Sequence, residues 1–144
     1  MARAYLYNTR SEVAGAAVGT NTASYLYNPI GGRISATLNG QSTSYTANNL
    51  NQYTAVSGGS AASPTYDADG NMISDGTLLY TWDAENRLVS ATPLNPSVGS
   101  KRVLCRYDWC HRLAQLAVQT YSSGAWELYE TRTFVYDGWL LALE

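Results

Sequence analysis

Apolar and polar residues alternate with a period of two along much of this chain. In "LLYTW" (78–82), Leu78, Tyr80 and Trp82 share one face while Leu79 and Thr81 share the other. "RISATL" (33–38) sets Ile34, Ala36 and Leu38 against Arg33, Ser35 and Thr37. "ASYLY" does the same with Ala23, Tyr25 and Tyr27, and Phe134 alternates with Tyr136 in "TFVY". A period of two is the signature of a half-buried β-strand. The best helical candidate, Arg112 to Gln119, follows a turn and keeps the same alternation, so it too is expected to be strand. Polar Gly/Ser-rich joints at 39–44, 57–64, 93–100 and 122–125 predict connecting loops within one array.

A repeat underlies the alternation. An aromatic precedes each predicted turn: Tyr7, Tyr27, Tyr45, Tyr66, Trp82, Tyr107 and Tyr136, at spacings of 20, 18, 21, 16, 25 and 29 residues. The next residue is Asn8, Asn28, Thr46, Asp67, Asp83, Asp108 or Asp137, and six of these seven are Asn or Asp. Those side chains bond the backbone two residues on and so start turns. Four residues after the aromatic stand Gly31, Asn49, Gly70, Asn86 and His111, residue types that tolerate positive φ better than most. The first and last copies carry Ser11 and Leu140 there and break the pattern. The expectation is an all-β chain: residues 1–144 as a single array of about seven hairpin repeats.

These residues resemble the YD repeat of the Rhs family. The segment "YDADGNMISDGTLLYTWDAENRLVSA" (66–91) is similar to the family pattern nearly end to end; "YNPIGGR", "YTANNLNQY", "RYDWCHRL" and "TFVYDGW" are looser versions. Rhs proteins, shell subunits of insecticidal toxin complexes and teneurins share this repeat. The resemblance implies tandem β-hairpins in a curved or spiralling antiparallel sheet, closed on itself or continued by assembly. It also favours a secreted or cell-surface location. In bacterial relatives such shells often enclose a C-terminal toxin, freed by an aspartyl protease with paired Asp-Pro-x-Gly motifs. Those motifs are absent from this sequence, so what carries over is the shell-type repeat and not the cargo or its release.

Composition narrows the function classes. A formal net charge of −2 gives no reason to expect a nucleic-acid partner. Charged residues make up 14%, against about 25% in ordinary soluble domains, and 12 Tyr with 4 Trp outweigh a single Phe. Tyrosine suits strands with a packed ring and a wet hydroxyl. No apolar run reaches the ~18 residues of a membrane span, and no apolar leader is recognisable at the N-terminus.

Three groups invite chemistry and read as structure. "DADGNMISDGTL" looks like a calcium loop, yet the positions that need Gly and Glu hold Met72 and Leu78. The expected reading is an Asx turn without metal. Cys105, Cys110 and His111 lack the second ligand pair of a zinc site, and no cofactor is expected. One histidine and no nucleophile elbow leave little for catalysis, so no enzyme is expected.

Function is therefore expected to be structural: a shell or scaffold fragment. Exposed strand edges with few guards, Lys101 being the only lysine, predict self-association into a ring or filament, or closure of the sheet within one chain. A rival reading uses the aromatic face as a carbohydrate- or protein-binding surface. A further alternative is a piece of a longer toxin-encapsulating shell.

Overall fold

A computed structural model describes residues 3–59 and 61–144. Among them every regular element is a β-strand, and every named pairing is antiparallel. The chain divides into two compact units, Met1–Pro64 and Thr65–Glu144.

The first unit is one six-stranded sheet in sequence order: β1 (Arg3–Tyr7), β2 (Val13–Val18), β3 (Asn21–Tyr27), β4 (Arg33–Leu38), β5 (Gln41–Ala47) and β6 (Tyr53–Ser57). The second unit holds β7 (Thr65–Tyr66), β8 (Met72–Ser74), β9 (Leu78–Trp82), β10 (Leu88–Pro93), β11 (Lys101–Tyr107), β12 (Leu113–Ser122) and β13 (Ala125–Thr133), again in consecutive order. A two-stranded sheet, β14 (Val135–Asp137) and β15 (Leu140–Leu143), completes it. The sheets are open meanders. The stretch from Arg112 onward enters strand β12 at Leu113, as the alternation predicts.

Two kinds of turn join the strands. One kind is the repeated Asx turn described below. The other includes tight two-residue loops: Asn39–Gly40 with φ of 49° and 82°, and Ser123–Gly124 with φ of 50° and 85°. Positive φ at both positions matches the right-handed twist of the flanking strands, hence Asn-Gly and Ser-Gly. This corrects the expected loop at 39–44. Its turn is only Asn39–Gly40, and Gln41 already begins β5. Composition misled there because an exposed strand can carry Ser, Thr and Gln on both faces.

Interior volume is scarce. Among the described residues only Gly15, Ala36 and Pro64 are buried, and Ala36, at 3% exposure, is the whole apolar core. Strands β1 and β15 are exposed at every position. Stability must then come from pairing, turn chemistry and side chains packed along the sheet, since no large side chain among the described residues is fully buried.

Candidate functional site

The feature that recurs is the turn, and one geometry is built six times. At Asn8, Asn28, Asn48, Asp67, Asp83 and Asp108 the main-chain N–H donates to the carbonyl four residues on, at 2.7–3.0 Å. The N–H three residues on donates back to the Asx carbonyl, at 2.9–3.2 Å. The side-chain Oδ1 accepts two more main-chain donors, from the residues two and four ahead. For Asp67 these are Asp69 at 3.0 Å and Asn71 at 2.8 Å; for Asp108 they are Cys110 at 2.8 Å and Arg112 at 3.0 Å. Asn8, Asn28, Asn48 and Asp83 repeat this pairwise. Such a turn needs a left-handed residue at its third position after the Asx, forming a bulge. "YDADGN" is one of these turns.

The left-handed residues are Ser11, Gly31, Asn51, Gly70, Asn86 and His111, with φ from 58° to 88°. Gly31, Gly70, Asn86 and His111 stand where the repeat put them. Asn49 does not, because the repeat is aligned two residues too early there, on Tyr45 instead of Ala47. The Asx of that copy is Asn48, Ala47 takes the aromatic's place, and Asn51 (φ 59°) is the left-handed residue. Tyr45 drew the alignment off because aromatics also occur two residues before the turn, as at Tyr5 and Tyr25. Ser11, set aside as a break in the pattern, adopts φ 62° like the others. The last copy does differ: Asp137 pairs directly with Leu140 across Gly138–Trp139, one residue shorter, with Gly138 at φ 57°.

Side chains then tie consecutive hairpins together. The phenol of Tyr27 donates to the Val13 carbonyl at 2.8 Å. Trp82 Nε1 donates to the Met72 carbonyl at 2.8 Å, Tyr107 to that of Leu88 at 3.0 Å, and Tyr136 to that of Leu113 at 3.0 Å. Each acceptor is the residue paired with the preceding aromatic position: Tyr7 with Val13, Tyr66 with Met72, Trp82 with Leu88, Tyr107 with Leu113. Where Ala47 replaces the aromatic, the bond reverses, and the Arg33 N–H donates to the Tyr53 phenol at 2.8 Å.

The turn tips are linked as well. Asn28 Nδ2 donates to Asn51 Oδ1 at 3.1 Å, and Asn71 Nδ2 to Asn86 Oδ1 at 2.8 Å. Later copies use arginine. Arg87 pairs with Asp83 at 2.8 Å and lies 4.9 Å from the Tyr107 ring centre; Arg112 pairs with Asp108 at 2.7 Å and lies 4.7 Å from that of Tyr136. Arg112 also donates to the Gly138 carbonyl. Glu85 Oε2 stands 2.8 Å from Arg87 and 3.2 Å from His111 Nδ1. One arginine thus serves its own turn, the next aromatic and the next tip.

Electrostatics follow this wiring. Partial burial pushes the Asp83 and Asp108 carboxyls up, but hydrogen bonds from Arg87 and Arg112 and from main-chain amides outweigh it and hold both low. The Asn71 side chain, helped by three main-chain amides, lowers Asp67 despite burial. Outside the repeat, Asp75 caps its own loop. It accepts from the amides of Leu78 (2.7 Å) and Thr77 (2.8 Å), the Thr77 hydroxyl (2.7 Å) and the Tyr80 phenol (2.7 Å). Burial alone would raise Asp75, but these donors hold it well below the usual carboxylate range. Burial and the bond to Asp75 push the Tyr80 phenol up to about 12. Sequence reasoning missed Asp75, which has no aromatic before it.

Cys105 and Cys110 are free and half-buried, and burial pushes the Cys105 thiol up, away from the thiolate that reacts. No cluster of three or more His, Cys, Asp or Glu lies among the described residues. Depressions on the sheets are shallow; one of about 260 Å³ is lined by Met72, Tyr80, Trp82 and Leu88, beside the Trp82 strap.

Comparison with solved structures agrees with this geometry. A chain of the TcdB2–TccC3–Cdc42 crystal structure superposes on 94% of this chain with a TM-score of 0.56 at 15% identity. A chain of the Photorhabdus luminescens Tc holotoxin pore superposes on 83% with a TM-score of 0.50 at 13% identity. The chain resembles the Rhs-repeat shell fold. By sequence it is 39% identical over 72 residues to the tRNA nuclease WapA of Bacillus subtilis (strain 168), and equally to the tRNA3(Ser)-specific nuclease WapA of Bacillus spizizenii. That match takes in 47% of this chain and 3% of either nuclease, and the chain covers 9% of each solved toxin chain. No family model matches.

Proposed function

We propose that this chain is a non-catalytic wall segment: a YD-type hairpin array, of the kind that builds shells, that associates with further β-structure through its strand edges. The observation that carries the reading is the strap to the preceding hairpin made by four of the turn aromatics, Tyr27, Trp82, Tyr107 and Tyr136. The conspicuous side chains of the repeat bond to backbone and to one another, which builds a surface and leaves little for chemistry. The scarcity of buried residues adds to it. A sheet with two wet faces is stable when neighbours continue it. Strands β1 and β15, exposed throughout, offer rows of unpaired N–H and C=O groups.

Light scattering on a gel-filtration column, with negative-stain microscopy of the same fractions, tests this. Rings or filaments that grow with concentration support it; a monomer across the whole range contradicts it.

A second reading draws on Trp109 and Trp139, exposed to 89% and 78% at the last two turn tips. Unlike the strap aromatics, these indoles project from the wall and suit stacking on a sugar or a protein side chain. Quenching or blue shift of tryptophan fluorescence with an oligosaccharide series, lost in Trp109→Ala, would favour it.

A further inference from the structure

One junction of the first sheet departs from the repeat twice. The residue paired with the turn aromatic is apolar in four copies: Val13, Met72, Leu88 and Leu113. Opposite Tyr27 it is Arg33. The next copy carries Ala47 in the aromatic's place, which offers no phenol to the Arg33 carbonyl, and the Tyr53 phenol accepts from the Arg33 N–H instead. A guanidinium thus stands where the repeat sets an aliphatic side chain, beside the copy that lacks its ring.

The Arg33 guanidinium carbon lies 5.3 Å from the Tyr25 ring centre on β3 and 5.4 Å from that of Tyr45 on β5. The Tyr45 ring in turn lies 5.2 Å from that of Tyr53 on β6. Rings on the two adjoining strands hold the guanidinium in place while Arg33 stays exposed. Strand β4 has a partner on either side, so this frame is complete within the sheet. What it lacks is an acid. Among the described residues the side-chain N–H groups of Arg33 make no hydrogen bond and no ion pair. The other three arginines held over rings all have side-chain partners: Arg87 with Asp83, Arg102 with Gln119, and Arg112 with Asp108. In residues 1–64 the only acid is Glu12, and Arg10 takes it at 2.8 Å.

We propose that Arg33, framed by Tyr25, Tyr45 and Tyr53, binds a carboxylate side chain of an acidic polypeptide. A planar guanidinium meets a carboxylate with two parallel N–H···O bonds, and the flanking rings keep its donors from turning away. Charge selects the occupant first: residues 1–64 hold three arginines against one glutamate, so an acidic partner is the complementary one. Residue type selects next, since Tyr and Arg are the side chains that anchor protein interfaces. Shape agrees, because side chains spread over four strands of an open sheet offer a broad contact and not an enclosed cleft. A lone guanidinium is too little for a phosphate backbone, which is bound by several cations together. Departures from an otherwise regular repeat belong where function overrides local consistency. The site lies on a sheet face and does not depend on association through strand edges.

The test titrates fluorescein-labelled poly-L-glutamate with the full chain at low ionic strength and follows anisotropy. Arg33→Gln is compared with Arg3→Gln, which removes the same charge from an exposed position on β1. The expected result is saturable binding, weakened at least about tenfold by Arg33→Gln, the worth of a charge-assisted hydrogen-bonded pair, and unchanged by Arg3→Gln. Arg33→Lys keeps the charge and loses the fork, and its affinity is expected to fall between; melting curves of all variants show that they fold. Equal losses in Arg33→Gln and Arg3→Gln would mean attraction to net charge alone and would overturn the inference. Poly-L-glutamine bound as tightly as poly-L-glutamate, or displacement of the probe by inorganic phosphate at equal charge concentration, would overturn it too. So would the absence of any binding to poly-L-glutamate.

Discussion

The phenol of Tyr107 donates a 3.0 Å hydrogen bond to the carbonyl of Leu88, which belongs to the preceding hairpin and pairs there with Trp82. Arg87, held by Asp83, lies against the same ring. The aromatic and the Asx of the repeat therefore have different addresses. The Asx serves its own turn, whereas the aromatic serves its neighbour. A YD dipeptide is thus a joint as well as a turn, and the spacing of the joints varies freely because the loops at the other ends of the strands absorb it.

Gly70, at φ 88°, tests the turn. Gly70→Val places a β-branched side chain in a left-handed conformation and is expected to lower stability by about 1–3 kcal/mol. Ser11 adopts the same region at φ 62°, so Ser11→Gly is expected to raise stability by up to about 1 kcal/mol. Urea unfolding of both variants checks the pair. A neutral Gly70→Val would mean that the turn relaxes without strain.

Asp75 makes the acid limb of stability readable. Its carboxyl is held below its unfolded value, so its contribution is full above about pH 4 and is lost as pH falls through the folded value. Asp75→Ala is expected to cost about 1–2 kcal/mol at neutral pH and to flatten the decline of melting temperature below pH 4. Its partner acts at the other end. Tyr80, raised to about 12, stabilises fully below about pH 10 and loses that contribution as pH climbs from there to about 12. Tyr80→Phe should therefore be less sensitive to alkaline pH than the wild type. Parallel slopes for variants and wild type would contradict the Asp75–Tyr80 bond.

At Asp108 two roles can be separated. Asn keeps the oxygen that accepts from Cys110 and Arg112 but drops the charge facing Arg112; Ala drops both. The repeat already uses Asn at 8, 28 and 48, where no i,i+4 arginine follows. The expected order of melting temperature is wild type first, Asp108→Asn close behind, and Asp108→Ala clearly last. Equal losses for Asn and Ala would place the stabilisation in the ion pair instead of the turn.

Strands and turns were legible because both rest on local chemistry. Period-two alternation marks a strand, and aromatic-Asx followed by Gly, Asn or His marks a turn, so Gly31, Gly70, Asn86 and His111 could be placed by counting. Asn49 could not. Tyr45 sits where Tyr5 and Tyr25 sit, two residues before the turn position, and only the hydrogen bonds of Asn48 reveal that Ala47 fills the aromatic's place. Ser11 was missed because serine seldom adopts positive φ, and here the turn imposes it. The straps were invisible for another reason: they join residues 10 to 23 places apart whose spacing changes from copy to copy. Such contacts follow from the register of paired strands, which no single stretch of sequence displays.

The most direct test of the account removes one oxygen at a time. Tyr27→Phe, Tyr107→Phe and Tyr136→Phe each delete a strap and keep the ring, while Tyr5→Phe and Tyr129→Phe make the same change at exposed positions whose phenols make no hydrogen bond among the described residues. Urea unfolding should show a loss of about 1 kcal/mol for each strap variant and no more than about 0.5 kcal/mol for the controls. Strap variants indistinguishable from the controls would mean that the hairpins are held by backbone pairing alone, and that the aromatics of the repeat serve some other purpose.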